Sequence, residues 1–163
     1  MMTHDAGEWA DVDEPGIETT TVDVDELAGT PVEAPRSAQE PAPPLYYGSV
    51  DEFVAVYLRH VYKRRIDGRH RCWAAEWWRY DEAVIRLEAL WRSWEHLRQD
   101  AATGMSVWWR DHADHHMAAL FDPEGPFAGV EGDENTCKRG EPLPYTAPPA
   151  GMFPDVRHIP ADR

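Results

Sequence analysis

Cysteine, lysine and long apolar runs are all scarce in this chain, and each scarcity removes a class of function. Two cysteines, Cys72 and Cys137, are all that 163 residues contain, and no C-x-x-C spacing joins them. Neither a disulfide scaffold nor a zinc knuckle is indicated, and a reducing compartment fits. No apolar stretch approaches the length of a membrane span. The N-terminus opens on Thr3, His4, Asp5 and Glu8, where a secretory leader needs positive charge and then an apolar run. A cytoplasmic protein with no membrane partner is expected. There is no glycine-rich phosphate loop, and no serine or cysteine nucleophile stands beside an orienting base. No catalytic or cofactor-binding residue is therefore assigned, and a divalent metal at the Asp/His cluster 111–116 is the only cofactor entertained.

Proline is missing too, but only locally: the 14 prolines flank a proline-free run from Leu45 to Asp122. Seven of the eight tryptophans fall inside that run, between Trp73 and Trp109. This contrast divides the chain into an acidic arm over 1–47, a helical domain over 48–129 and a tail over 130–163. The arm sets eleven acids against the single base Arg36 and carries most of the formal net charge of −14. Such a segment cannot bury enough apolar surface to offset its ordering entropy, and disorder is expected. The tail reverts to Gly, Glu, Asp and Pro and is expected to be disordered as well, with Phe127 packing back on the domain. Residues 48–130 are close to neutral, so the global acidity says little about the folded surface.

Within the domain, Ser49-Val50-Asp51-Glu52 is a capping box that starts a helix over about 50–66. Val50, Phe53, Val54, Val56, Tyr57, Leu58, Val61 and Tyr62 form its apolar stripe, and Asp67-Gly68 ends it. A short helical turn follows around 73–80. Asp81 then caps a longer helix through Gln99, where Trp73, Trp77, Tyr80, Val84, Leu87, Trp91 and Trp94 recur in steps of four and three. Ala83, Leu87, Leu90, Trp94 and Leu97 widen the apolar face to that of a helix packed into a globular core. Glu82 with Arg86 and Glu88 with Arg92 pair on the opposite side. After the turn at Ala101–Gly104, Ser106 caps a third helix to about Leu120, with Trp109, Ala113, Met117 and Leu120 buried, and Pro123 stops it. The fold class is all-α: a small tryptophan-rich bundle of three helices plus one short helix, with disordered ends. A core this small cannot leave most of its indoles outside and remain folded. Trp78 and Trp108, each next to another indole, are the two expected to face a partner.

Two constellations bear on chemistry. His112 and His116 share a helix face at i,i+4 and are candidate ligands of one divalent metal. The residue after His112 is Ala113, so the general base of a zinc protease is absent. On the structural alternative Asp114 pairs with Arg110 and Asp111 with His115. The second constellation is basic: Arg59, His60, Lys63, Arg64, Arg65, Arg69, His70 and Arg71, opposed by Asp67 alone. It is either a solvated helix end that the helix dipole favours or a contact for nucleic acid or an acidic partner through Arg59, Lys63, Arg64, Arg65, Arg69 and Arg71. Residues 5–40 of the arm are a third element, able to screen that segment by charge. The leading functional reading is a non-catalytic adaptor or regulatory module with a protein partner. A nucleic-acid-binding protein using 59–71 and a metal-dependent enzyme using 111–116 are the alternatives, and the oligomeric state is open.

Phe53-Val54-x-x-Tyr57-Leu58, Glu76-Trp77-Trp78, Arg86-Leu87-Glu88-Ala89-Leu90-Trp91-Arg92-x-Trp94-Glu95, Thr103-Gly104-Met105-Ser106-x-Trp108-Trp109, Asp111-His112-x-Asp114-x-His116 and Asp122-Pro123-x-Gly125-Pro126-Phe127 together resemble an actinobacterial family of unknown function, numbered 4913. The resemblance covers about 47–129. It implies a small helical protein with no assigned activity, encoded near plasmid or conjugative-element genes. The chain departs from the family pattern where Ala74 and the neighbourhood of Val130 stand in place of cysteines and Tyr80 in place of a histidine.

Overall fold

A computed structural model describes residues 43–158. The acidic arm predicted over 1–47 lies outside them except for its last residues, of which Tyr47 already belongs to the core. Three helices make the bundle: α1 over residues 50–61, α2 over Asp81–Leu97 and α3 over residues 104–121. Single 3₁₀ turns lie at Trp77–Arg79, Asp133–Asn135 and Val156–His158. No strand occurs among the described residues, only one isolated antiparallel bridge between Ile66 and Cys137.

The start of α1 follows from its cap. Ser49 Oγ accepts from the Glu52 N–H at 3.1 Å, and Glu52 reaches back to the Gly48 N–H at 2.6 Å. The helix stops at Val61, five residues before the expected end, because Tyr62 leaves helical geometry and Ile66 is drawn into the bridge with Cys137. Helix α2 is the element whose face matches its sequence pattern: Ala83, Leu87, Leu90, Trp91 and Trp94 are buried. Asp81 stands in its first turn beside Glu82, where the dipole favours acids, rather than at the cap. Gly104 starts α3, two residues before Ser106. A Cβ at Gly104 would collide with the Leu97 carbonyl oxygen, so only glycine lets α3 leave α2 this closely.

Both α1 and α3 contain a π-helical turn, at Phe53–Leu58 and Trp108–Ala113. In α1 the Arg59 N–H bonds to the Val54 carbonyl, five residues back. Each π turn inserts one residue and advances the buried face by five positions instead of three or four. The consequence in α3 corrects the expected face. Trp108 is 0% exposed, and its indole N–H donates to the Leu90 carbonyl at 3.0 Å. Trp109 is half-buried and stacks on Tyr62, with centroids 5.5 Å apart. Trp108 is therefore a core residue and not a partner-facing one. In α1, Val56 and Val61, expected inside, are exposed.

Residues 131–158 correct the expectation of a disordered tail. They cross the bundle as an extended strap. Ile66 and Cys137 exchange two backbone hydrogen bonds of 3.1 Å, the Leu143 N–H bonds to the Arg59 carbonyl at 3.0 Å, and the Thr146 N–H bonds to the Ala75 carbonyl at 2.9 Å. The indoles of Trp73 and Trp78 donate to the carbonyls of Pro144 and Thr146 at 2.8 and 3.1 Å. Leu143 is fully buried, and Phe153 stacks on Trp77 at 5.3 Å. Proline suits such a segment, since it fixes an extended backbone and has no N–H to satisfy. Phe127 does pack back, edge-on to Trp73 and Tyr80.

At the other end a buried carboxylate fastens the chain's entry. Glu95 is 3% exposed and accepts from the N–H groups of Tyr46 and Tyr47 and from Arg98 Nε at 2.8 Å. Burial pushes its carboxyl up, but these donors outweigh burial and hold it below its ordinary value. Arg98 also donates to the Pro44 carbonyl at 2.7 Å.

The two adjacent indoles of α3 should separate cleanly. Trp108→Ala should cost about 3–5 kcal/mol in urea unfolding, the range for truncating a buried aromatic, and Trp109→Ala distinctly less. The reverse order would place the π turn elsewhere.

Candidate functional site

The basic segment is shaped by Asp67. Its carboxylate accepts from the N–H groups of Arg69 and His70 at 3.1 and 2.8 Å and meets His70 Nδ1 at 3.0 Å, and Arg65 lies 3.8 Å away. The hydrogen bonds from His70 and Arg69 hold Asp67 well below the usual carboxylate range. Asp67 is thus engaged in folding the loop, and Lys63, Arg64, Arg65, Arg69 and Arg71 are exposed.

Arg59 differs from the others. It is half-buried, donates from Nε to the Leu143 carbonyl at 3.0 Å and lies over the Tyr145 ring at 5.3 Å. Its role is to clamp the strap, which removes it from the set of contact residues read in the sequence. In exchange the strap delivers two cations that the sequence reading missed. Lys138 and Arg139 follow Cys137 and share with Arg65 a cleft of about 460 Å³ that Asp67 and Glu141 also line. Arg64, His70 and Arg71 line a second cleft of about 330 Å³. The only sequence signal for the addition was two adjacent bases in an otherwise acidic tail.

The Asp/His cluster is wired differently from the pairing expected. Arg110 holds its own neighbour Asp111 through two hydrogen bonds of 2.6 and 2.8 Å. Asp114 accepts from the Tyr62 hydroxyl at 2.8 Å, tying α3 to the end of α1. His112 and His116 are both half-buried, and Arg86 comes within 3.5 Å of His116 Nδ1. A guanidinium there opposes a dication. Among the described residues no group of three or more His, Cys, Asp or Glu side chains is placed to hold a metal ion.

Neither cysteine is an activated nucleophile. Cys72 is buried and donates to the Gly68 carbonyl at 3.5 Å; burial first, then the charge of Asp67, pushes its thiol up. Burial also raises Cys137, whose sulfur donates to the Arg64 carbonyl at 3.2 Å. Ala74, Tyr80 and Val130 line one cleft of about 580 Å³ with the ion pair Glu76–Arg79. A methyl, a phenol and an isopropyl group offer no thiolate or imidazole there. Trp78, the other aromatic expected to face a partner, is half-buried, with its indole N–H on Thr146. No helix of the described residues is long and apolar enough to cross a membrane.

Burial, and then Arg86, push His116 below its ordinary value of 6.5. The folded state therefore binds fewer protons than the unfolded chain in the window beneath that value. Stability from this group is complete above it and is lost as pH falls toward the lower folded value. The melting temperature should drop between about pH 7.5 and about pH 5.5, and His116→Gln should flatten that drop. An equally steep drop in the variant would assign the effect to other groups.

No curated protein and no solved structure matches the chain. A family model described as a domain of unknown function (DUF4913) does match, over residues 47–149, a span that takes in the strap as far as Pro149. Since that match spans well over half of the sequence, the chain belongs to this family of unknown function.

Proposed function

We propose that the protein is a non-catalytic binding module that holds nucleic-acid phosphates on the surface formed by Lys63, Arg64, Arg65, Arg69, Arg71, Lys138 and Arg139. One observation supports the reading: the Ile66–Cys137 bridge joins two separate stretches of chain, so that Lys138 and Arg139 line one cleft together with Arg65. A helix end that merely welcomes positive charge needs no contribution from a segment more than sixty residues away. Exposed cations drawn from both stretches of chain suit a ligand that presents a charge at every link. The mobile-element setting that the family resemblance implies fits a cytoplasmic module of this kind, one that grips DNA or RNA without altering it.

A protein partner is the second reading, and half-buried Trp78 is its remaining anchor. Tyr46, Val56, Ile85 and Met152 are exposed on four different segments, and exposed apolar residues met singly need no partner to explain them.

Phosphate contacts make binding salt-dependent. Affinity for a nucleic-acid fragment should be measurable at low salt and fall steeply as salt rises, with a log–log slope of several units. Reversing both strap charges, Lys138→Glu with Arg139→Glu, should weaken binding by about tenfold or more without changing the circular dichroism spectrum. Unaltered affinity in that variant would refute the joint surface.

A further inference from the structure

The basic surface is indented where α1 and α3 end. Around that cleft stand Arg64, His70 and Arg71, and its remaining walls are Tyr62, Phe121, Pro123, Ala118 and Asp122. It thus combines a cationic rim with aromatic and apolar walls, a combination that bare phosphate recognition does not require. Its volume of about 330 Å³ is at the small end of the range for small-molecule sites and suits one planar heterocycle rather than a stack of them.

The aromatic groups are ordered. Tyr62 stacks on Trp109 at 19° between ring planes, and its hydroxyl is fixed by Asp114 at 2.8 Å. The Arg64 guanidinium lies over the same Tyr62 ring, 4.5 Å from its centroid, with NH1 donating to the Lys63 carbonyl at 2.9 Å. Arg64 is exposed, so this held guanidinium offers solvent a flat cationic surface of the kind on which unstacked bases lie. Asp122 stands in the cleft wall with Oδ1 accepting from the Glu124 N–H at 2.8 Å. A carboxylate in that wall repels a phosphate and accepts an N–H from a base edge, which every nucleobase can supply. A nucleotide seated there would set its phosphate toward Arg71 and His70 and its base toward Arg64 and Asp122.

Resting on the proposal that this surface holds nucleic-acid phosphates, we infer that the cleft takes one unpaired nucleotide and that the ligand class is single-stranded nucleic acid. A duplex keeps its base faces stacked and its edges paired, and extracting a base costs a few kcal/mol. A single strand presents the base without that cost and leaves its further phosphates free to meet Arg65, Lys138 and Arg139. Stacking and backbone charge together make the preference tolerant of sequence.

The test compares, with the full chain, a fluorescently labelled single strand of about twelve nucleotides and the duplex formed from it. The single strand should bind about tenfold tighter or more at moderate salt. Ala118→Trp, at an exposed position on α3, fills the cleft and removes no charge. It should bring single-strand affinity down to that of the duplex while the circular dichroism spectrum and duplex binding stay unchanged. Equal affinity for the two forms, or a single-strand affinity indifferent to Ala118→Trp, would overturn the nucleotide cleft and leave phosphate binding standing. Binding of neither form at low salt would overturn both.

Discussion

Two backbone hydrogen bonds between Ile66 and Cys137, each 3.1 Å, determine which surface this protein presents. Each is worth on the order of 1 kcal/mol net, too little to matter alone, but they set the register of everything that follows in the strap. With Cys137 placed, Leu143 reaches the core, Pro144 and Thr146 offer carbonyls to Trp73 and Trp78, and Tyr145 donates to Asp51 at 2.7 Å. Arg59 is consumed in holding Leu143, and Lys138 and Arg139 come to stand beside Arg65. The same pairing therefore closes the core and completes the charged face.

Beneath the strap the bundle is held by aromatic packing more than by hydrogen bonding. Tyr47, Phe53, Tyr57, Trp94 and Trp108 form one network of ring contacts, with centroid separations between 5.1 and 6.3 Å. The buried indole N–H groups of Trp77, Trp91 and Trp94 find no acceptor among the described residues. An unsatisfied buried donor costs about 1–3 kcal/mol, and ring burial and edge-to-face geometry have to outweigh that. The π turns in α1 and α3 serve this packing by bringing Phe53 and Trp108 edge to face.

The legibility of these features in the sequence follows the range of the interactions that produce them. The face of α2 could be read because one period runs through it unbroken. Capping at Ser49 is local and was also readable. The face of α3 was not: one residue inserted at Trp108–Ala113 exchanges the fates of Trp108 and Trp109, and no residue type announces it. By composition the strap reads as a tail, because composition counts what a segment can bury by itself, whereas Leu143, Tyr145 and Phe153 pack against a core supplied by other residues. For the candidate site, Lys63, Arg64, Arg65, Arg69 and Arg71 were visible as a run. The loss of Arg59 and the gain of Lys138 and Arg139 depend on a pairing across more than sixty residues, which charge patterning cannot see.

Amide hydrogen exchange at Ile66 and Cys137 tests the closing of the strap most directly. Both amides should exchange far more slowly than in an unstructured peptide, at rates close to those of the buried centre of α2, since opening either one requires lifting the strap from the core. Exchange at both positions as fast as in a free peptide would contradict the structure, because Lys138 and Arg139 would then have nothing to hold them beside Arg65.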